Sequence, residues 1–426
     1  MIDADVVRLA ILPPEKSDRK YQFRYLIDTP NQKTDLVSRL KREMKFHLKR
    51  VLLSIYPKLA KKLYGIRSFG YVAENFEIRH LEVWDSLYPF MHLLRGGGPI
   101  FGSSYTKCHF VFCYPVLQEV RNFYTERAGD YGLNLTVEGK TFDRVYDVTT
   151  NGNAMAFGGG KDSRLVYGVL KEIGCEPVLY NANPGSDEVP DLNVKRVKTL
   201  QYGITNRIMP AFMSLSRNIF LGNGLGEAHL YHPWQEYYEW AGTEPMKKFS
   251  AMMSTLGIEM EVFSPVAVLP YNVIQKILFE RYPELYRYQY SVSPEDESEK
   301  NLHVALLEIY HGIDFSKHCS EALFRKLLKG FVDEQAANPE SYGYRRLREV
   351  IRNEMRSIIY KMKDHRLFAE VKGSVPDSWN GDWIDYIHTY INPDIDSRIL
   401  EIYSQYAKKI EDVLPPGEGY LPGYST

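Results

Sequence analysis

The chain is short of cysteine: Cys108, Cys113, Cys175 and Cys319 are the only four in 426 residues. None forms a C-x-x-C pair, which argues against a disulfide framework and against zinc-ribbon spacing. A reducing, cytoplasmic setting is the expectation. Long apolar runs are missing too. No stretch reaches the roughly 18 residues that a membrane-spanning helix needs, so no membrane association is expected. The N-terminal MIDADVVRLAILPPEK begins acidic and is only briefly apolar, unlike a signal peptide. Net charge is nearly absent, at −1. A balance that close to zero gives no global pull towards nucleic acid or anionic lipid. No internal repeat is present.

What remains is an ordinary globular composition, 44% hydrophobic and 25% charged. A chain of this length buries a large core and suggests two to three domains. The 32 tyrosines are an excess for which no single mechanism offers itself.

Residues 1–150 read as an α+β region. Tyr21–Asp28 has strand character. A basic helical stretch follows from Thr34 to Tyr64, broken at Pro57. Arg95–Pro99 (RGGGP) is a loop, and a helix covers Pro115–Arg127 with Gly129 near its end. Residues 151–290 alternate short apolar runs with helical spacing, the pattern of a parallel sheet with covering helices. Pro177–Tyr180 and Asn218–Leu221 read as two of its strands. The acidic segment Ser291–Lys300 is a linker. Residues 301–414 read as a mostly helical C-terminal region, and 415–426 as a tail.

The informative stretch is AMAFGGGKDSRLVYGVLKEIG, Ala154–Gly174. A buried strand delivers the chain into Gly158, Gly159 and Gly160. Three glycines permit a tight turn whose N–H groups converge. A helix follows from Asp162, with Leu165, Val166, Val169, Leu170 and Ile173 on one buried face and Gly174 as its stop. Its N-terminus and the glycine turn together suit a phosphate chain. Lys161 adds a cation and Ser163 a hydroxyl. Asp162 either caps the helix or holds Mg²⁺ beside the phosphates. The stretch is not a Walker A loop, which requires G-x-x-x-x-G-K-S/T, nor is it G-x-G-x-x-G. The bland alternative is a glycine-rich strand-to-helix turn with no ligand.

The loop resembles the PP-loop, S-G-G-x-D-S, of N-type ATP pyrophosphatases. That resemblance implies a doubly wound sheet of the adenine-nucleotide α-hydrolase-like (HUP) type, with ATP and Mg²⁺ as cofactors. It also implies release of pyrophosphate and an adenylated substrate. Gly159, Gly160, Asp162 and Ser163 carry over as pyrophosphate-binding positions, while Gly158 stands where that motif has its first serine. The glycine-first loop, Leu117–Leu135 before it and Phe263–Pro270 (FSPVAVLP) after it resemble the ATP-dependent epimerases of UDP-N-acetylmuramoyl-L-alanyl-L-glutamate. The related 7-cyano-7-deazaguanine synthases share this layout. Those relatives carry a late cysteine cluster; here Cys319 stands alone in that region, so zinc is not expected.

Other residues at the expected carboxyl edge of the sheet are candidates. Asn223 and Glu227 follow Asn218–Leu221, where open α/β sheets bind ligands. Asn223 would contact nucleotide, and Glu227 would act as base or metal ligand; local loop hydrogen bonds are the plain alternative. Asn181, Asn183 and Ser186 follow the second strand, within a turn at Asn183–Gly185. His229 and His232 have a spacing that admits metal, although surface roles are commoner. Trp234, Tyr237, Tyr238 and Trp240 suit stacking or, more often, core packing. Two basic stretches, Arg39–Arg50 and Tyr344–Lys363, stand out. In the second, Arg345, Arg348, Arg352 and Arg356 recur at helical spacing. They would grip an anionic substrate or RNA, or form a solvated face.

The expectation is an enzyme that adenylates a small anionic substrate, a carboxylate, with Lys161, Asp162 and Glu227 as catalytic groups. Two rivals stand beside it: an RNA-base-modifying enzyme of the same class, and an ATP-binding sensor or scaffold without catalysis.

Overall fold

The computed structural model describes residues 6–28, 44, 48, 51, 67–94, 107–130, 133–181, 192, 194–199, 204–225, 243–286, 297–337 and 347–413. The expectations for 34–64 (save for 44, 48 and 51), 95–99, 291–296 and 415–426 lie outside these residues.

The N-terminal part contributes strands β1 (Val6–Ile11), β2 (Glu15–Ser17), β3 (Lys20–Asp28), β4 (Arg67–Ala73) and β5 (Lys107–Phe112), with helix α1 (Glu82–Leu93) before β5. β3 alternates as expected of a half-buried strand, with Tyr21, Phe23 and Tyr25 fully buried. They pack against α1, where Tyr88 lies 5.2 Å from both Tyr21 and Phe23. Part of the tyrosine excess is therefore aromatic core. Next come β6 (Val116–Leu117), α2 (Gln118–Asp130), β7 (Asn134–Glu138) and β8 (Thr141–Phe142). α2 starts later than the sequence suggests, because Val116–Leu117 is extended and pairs with β8, and Gly129 lies within its last turn.

The centre supplies β9 (Asn153–Ala156), α3 (Lys161–Glu172), β10 (Val178–Asn181), β11 (Val194–Thr199), α4 (Ile204–Met213), β12 (Asn218–Phe220), α5 (Thr243–Thr255) and β13 (Glu261–Phe263). Gly174 ends α3 in the left-handed conformation, φ 77°. The strands β11, β10, β9, β12 and β13 lie side by side, all parallel. β9 is the first of them in the chain. β10 and β11 extend the sheet on one side of it; the chain then returns to place β12 and β13 on the other.

The two faces of this block are legible residue by residue. Ala154, Tyr180 and Ile219 join the core beneath α4 and α5, whereas Met155, Leu179 and Phe220 join the core beneath α3. Among the described residues the sheet is mixed, with eleven strands, and it crosses residue 150 without a break. β11 pairs with β4 antiparallel, β4 with β3 and β3 with β1 likewise, before β1, β5 and β7 resume parallel pairing.

The remainder is largely helical, as expected: α6 (Tyr271–Arg281), α7 (Pro283–Tyr286), α8 (Glu299–Tyr310), α9 (Glu321–Ala337), α10 (Leu347–Met362) and α11 (Ser397–Ser404). One small parallel pair, β14 (Tyr386–Ile387) with β15 (Lys408–Lys409), interrupts it. Ser298 caps α8 by accepting the Asn301 N–H, so the helix begins inside the expected linker. These helices continue the core under α3: Leu165 and Val169 belong to the same buried cluster as Leu306 and Ile358.

Leu165 is fully buried in that cluster, while Val178 is 42% exposed. Chemical denaturation should show Leu165→Ala losing about 3 kcal/mol, and Val178→Ala less than about 1 kcal/mol.

Candidate functional site

The chain leaves β9 at Phe157, whose N–H donates to the Tyr180 carbonyl at 2.8 Å. It then turns through Gly158–Gly160. Gly159 has φ 75°, a left-handed value that a side chain would strain. Among the described residues nothing lies within 4 Å of a Cβ placed on Gly158 or Gly160. α3 begins at Lys161, with Gly160 as its N-cap and no capping side chain. Asp162 is thus the second helical residue rather than the cap. The first bond to the loop is Arg164 N–H to the Gly160 carbonyl, 3.1 Å. The N–H groups of Lys161, Asp162 and Ser163 precede it and have no carbonyl of their own helix to reach. They form the positive end of the helix dipole.

Two neighbours fix this turn. Arg164 is fully buried and donates from Nε to the Gly159 carbonyl at 2.6 Å. Gly222, just beyond β12, presses against the start of α3: a Cβ there would lie 2.9 Å from Ser163 N. Asn223 continues from Gly222 and is clamped to Ser264, donating its N–H at 3.0 Å and accepting the Ser264 hydroxyl at 2.7 Å. Because β10, β9, β12 and β13 are parallel, Asn181, Gly158–Ser163, Asn223 and Ser264 all lie at one carboxyl edge. The strand order reverses between β9 and β12, the position at which open sheets hold ligands.

Charge at the edge comes from Lys161 and Asp162. Lys161 Nζ lies 3.6 Å from Asp162 Oδ1 and 4.0 Å from the centre of the Tyr271 ring. Asp162 Oδ1 is buried with no hydrogen-bond partner among the described residues. Burial raises the Asp162 carboxyl above its ordinary range; the Lys161 ammonium opposes this, and the Glu354 carboxylate adds to it. The Ser163 hydroxyl does not face outwards as expected. It donates to the Gly160 carbonyl at 3.0 Å and would have to rotate to serve a phosphate.

Sequence reasoning missed Arg164, Ser264, Tyr271 and the buried pair His303–Glu354, whose Nε2 and Oε2 are 3.0 Å apart. Arg164 and Ser264 lie within stretches already singled out, Ala154–Gly174 and Phe263–Pro270, but were given no role there; Tyr271, His303 and Glu354 carry no local motif and reach the edge only through the tertiary fold. Glu227, Asn183, Ser186, His229, His232, Trp234, Tyr237, Tyr238 and Trp240 lie outside the described residues, as do the side chains of Arg345 and Arg348. The other two arginines of that helix do not form a solvated face. Arg352 binds Glu299 at 2.7 Å and Glu334 at 3.0 Å. Arg356 is buried and donates to Asn353 and Gln335.

Comparison with protein-family models, with curated proteins and with solved structures yields no match to this chain.

A carboxyl raised by burial is protonated more readily in the folded than in the unfolded chain. Its ionisation therefore subtracts stability once the pH exceeds the ordinary carboxylate range, and subtracts nothing below it. Asp162→Asn should melt a few degrees above the wild type at pH 7, and the gain should shrink as the pH falls through the carboxylate range.

Proposed function

We propose that the protein is an ATP pyrophosphatase that adenylates a small anionic substrate, most simply a carboxylate. The observation that carries this reading is the uncapped N-terminus of α3 behind a Gly158–Gly160 turn at the sheet's switch point. In this reading the N-terminal N–H groups of α3, the helix dipole and Lys161 act together on a phosphate chain, as helix N-termini behind glycine turns do. The order β11-β10-β9-β12-β13 supports a doubly wound nucleotide-binding architecture, the HUP type being the finer expectation. The loop's resemblance to G-G-x-D-S adds the direction of cleavage, between the α- and β-phosphates.

In this reading Gly159, Gly160 and the first N–H groups of α3 cradle pyrophosphate. Lys161 neutralises the charge that builds on it as the substrate oxygen attacks the α-phosphorus and the Pα–O–Pβ bond breaks. The orphaned Asp162 Oδ1 fits a cation. Among the described residues no group of three or more His, Cys, Asp or Glu could hold a metal. Mg²⁺ would therefore be held by Asp162 together with phosphate oxygens, the usual manner for this ion. It would supply charge neutralisation on the phosphates. Asn181 and Asn223 would border the nucleoside, and Glu227 is kept as a candidate base. The carboxylate gains AMP as a leaving group, ready for epimerisation, amidation or another attack.

The experiment is product analysis of ATP with Mg²⁺ and a pool of small carboxylates and peptides. The expected products are AMP and pyrophosphate, falling at least about a hundredfold in Asp162→Ala. ADP and phosphate would contradict the reading. Binding of ATP without turnover in every pool, RNA included, would favour the sensor.

A further inference from the structure

Resting on that nucleotide reading, the geometry points to a positioning residue for the loop cation. We propose that Tyr271, held edge-on by the buried His303–Glu354 pair, positions the Lys161 ammonium for the phosphate chain.

Lys161 is a problem for a binding site. A lysine is a flexible, strongly hydrated point charge, and its order must come from its surroundings. Here two neighbours flank it. Asp162 Oδ1 stands 3.6 Å away and the Tyr271 ring centre 4.0 Å away. The ammonium carries three donors. A ring face takes one of them and leaves others for phosphate oxygens, while its negative quadrupole holds the charge without neutralising it.

The ring is fixed in its turn. Tyr271 opens α6 and is 5% exposed. The His303 ring of α8 meets it at 76°, with centroids 5.7 Å apart. His303 Nε2 is 3.0 Å from Glu354 Oε2 of α10. The other Glu354 oxygen accepts the Asn272 N–H at 2.7 Å, in the first turn of α6, where the helix dipole favours an anion. Asn272 Nδ2 also donates to Asp385 at 2.8 Å and to the Ile384 carbonyl at 3.1 Å. Glu354 and His303 are nearly completely buried, and a buried carboxylate is tolerated only with such partners. The chain Glu354–His303–Tyr271–Lys161 thus reaches from the C-terminal helices to the glycine loop. The same proximity lets Glu354 act on Asp162. The helical region becomes a working wall of the site.

The test is calorimetric binding of ATP and of inorganic pyrophosphate, with Mg²⁺, to the full chain. Tyr271→Leu should bind both about tenfold more weakly, and Tyr271→Phe within about twofold of wild type. In a Lys161→Ala background, Tyr271→Leu should have no further effect, which a purely structural role would not produce. His303→Gln leaves the tyrosine ring in place, removes the aromatic edge against it and keeps an amide N–H donor for Glu354. It should weaken binding about threefold beside Lys161 and not at all beside Lys161→Ala; this second variant decides the matter if Tyr271→Leu does not fold. The proposal is overturned if Tyr271→Leu binds like wild type, if Tyr271→Phe falls as far, or if either loss persists without Lys161. A wild type that binds neither ligand would instead overturn the nucleotide reading itself.

Discussion

The close approach of Gly222 to the first turn of α3 is the constraint on which the site depends. A Cβ at that position would stand 2.9 Å from the Ser163 nitrogen. Only a bare backbone lets the β12 exit lie this near to the α3 N-terminus. The β9–β12 pairing brings the two exits together, and Ser264 locks Asn223 just beyond them. The first turn of α3 thus starts at the switch point, directly beside the β12 exit. A helix start built in this way, with glycine at its N-cap, leaves its donors for an incoming anion.

The charged groups at the same edge are held at some expense in stability. Asp162 keeps an oxygen buried with no hydrogen bond, and its carboxyl is raised by burial. Lys161 has the weaker company of a carboxylate beyond hydrogen-bond distance and a ring face. A site that binds a magnesium–phosphate complex has reason to keep both groups so incompletely satisfied, since satisfying them within the protein would compete with the ligand. Glu354 and His303, by contrast, are satisfied by each other and by α6.

The central part of this fold was legible because local physics wrote it. The strand leading into the glycine turn appears where expected, and α3 with its apolar face starts and ends within one residue of expectation, since they rest on periodicity and on glycine chemistry. Tyr21–Asp28 was legible as a strand, and β3 covers it. What the sequence hid was long-range. Nothing near residue 150 announces that β11 will pair with β4 and fuse two regions into one sheet. Nothing in the spacing of Arg352 and Arg356 distinguishes a basic face from arginines spent on Glu299 and Gln335, because charge periodicity does not say what packs opposite. Tyr271, His303 and Glu354 come from three helices, and only their packing makes them neighbours.

The measurement that bears most directly on this account is amide hydrogen exchange of the intact protein, with and without ATP and Mg²⁺. The account predicts that exchange slows at residues 159–163, the glycine turn and the first residues of α3, with smaller effects at Asn223. Unchanged exchange there, with protection appearing instead elsewhere, as in the groove between α2 and β7 lined by Gln118, Arg121 and Thr136, would contradict it.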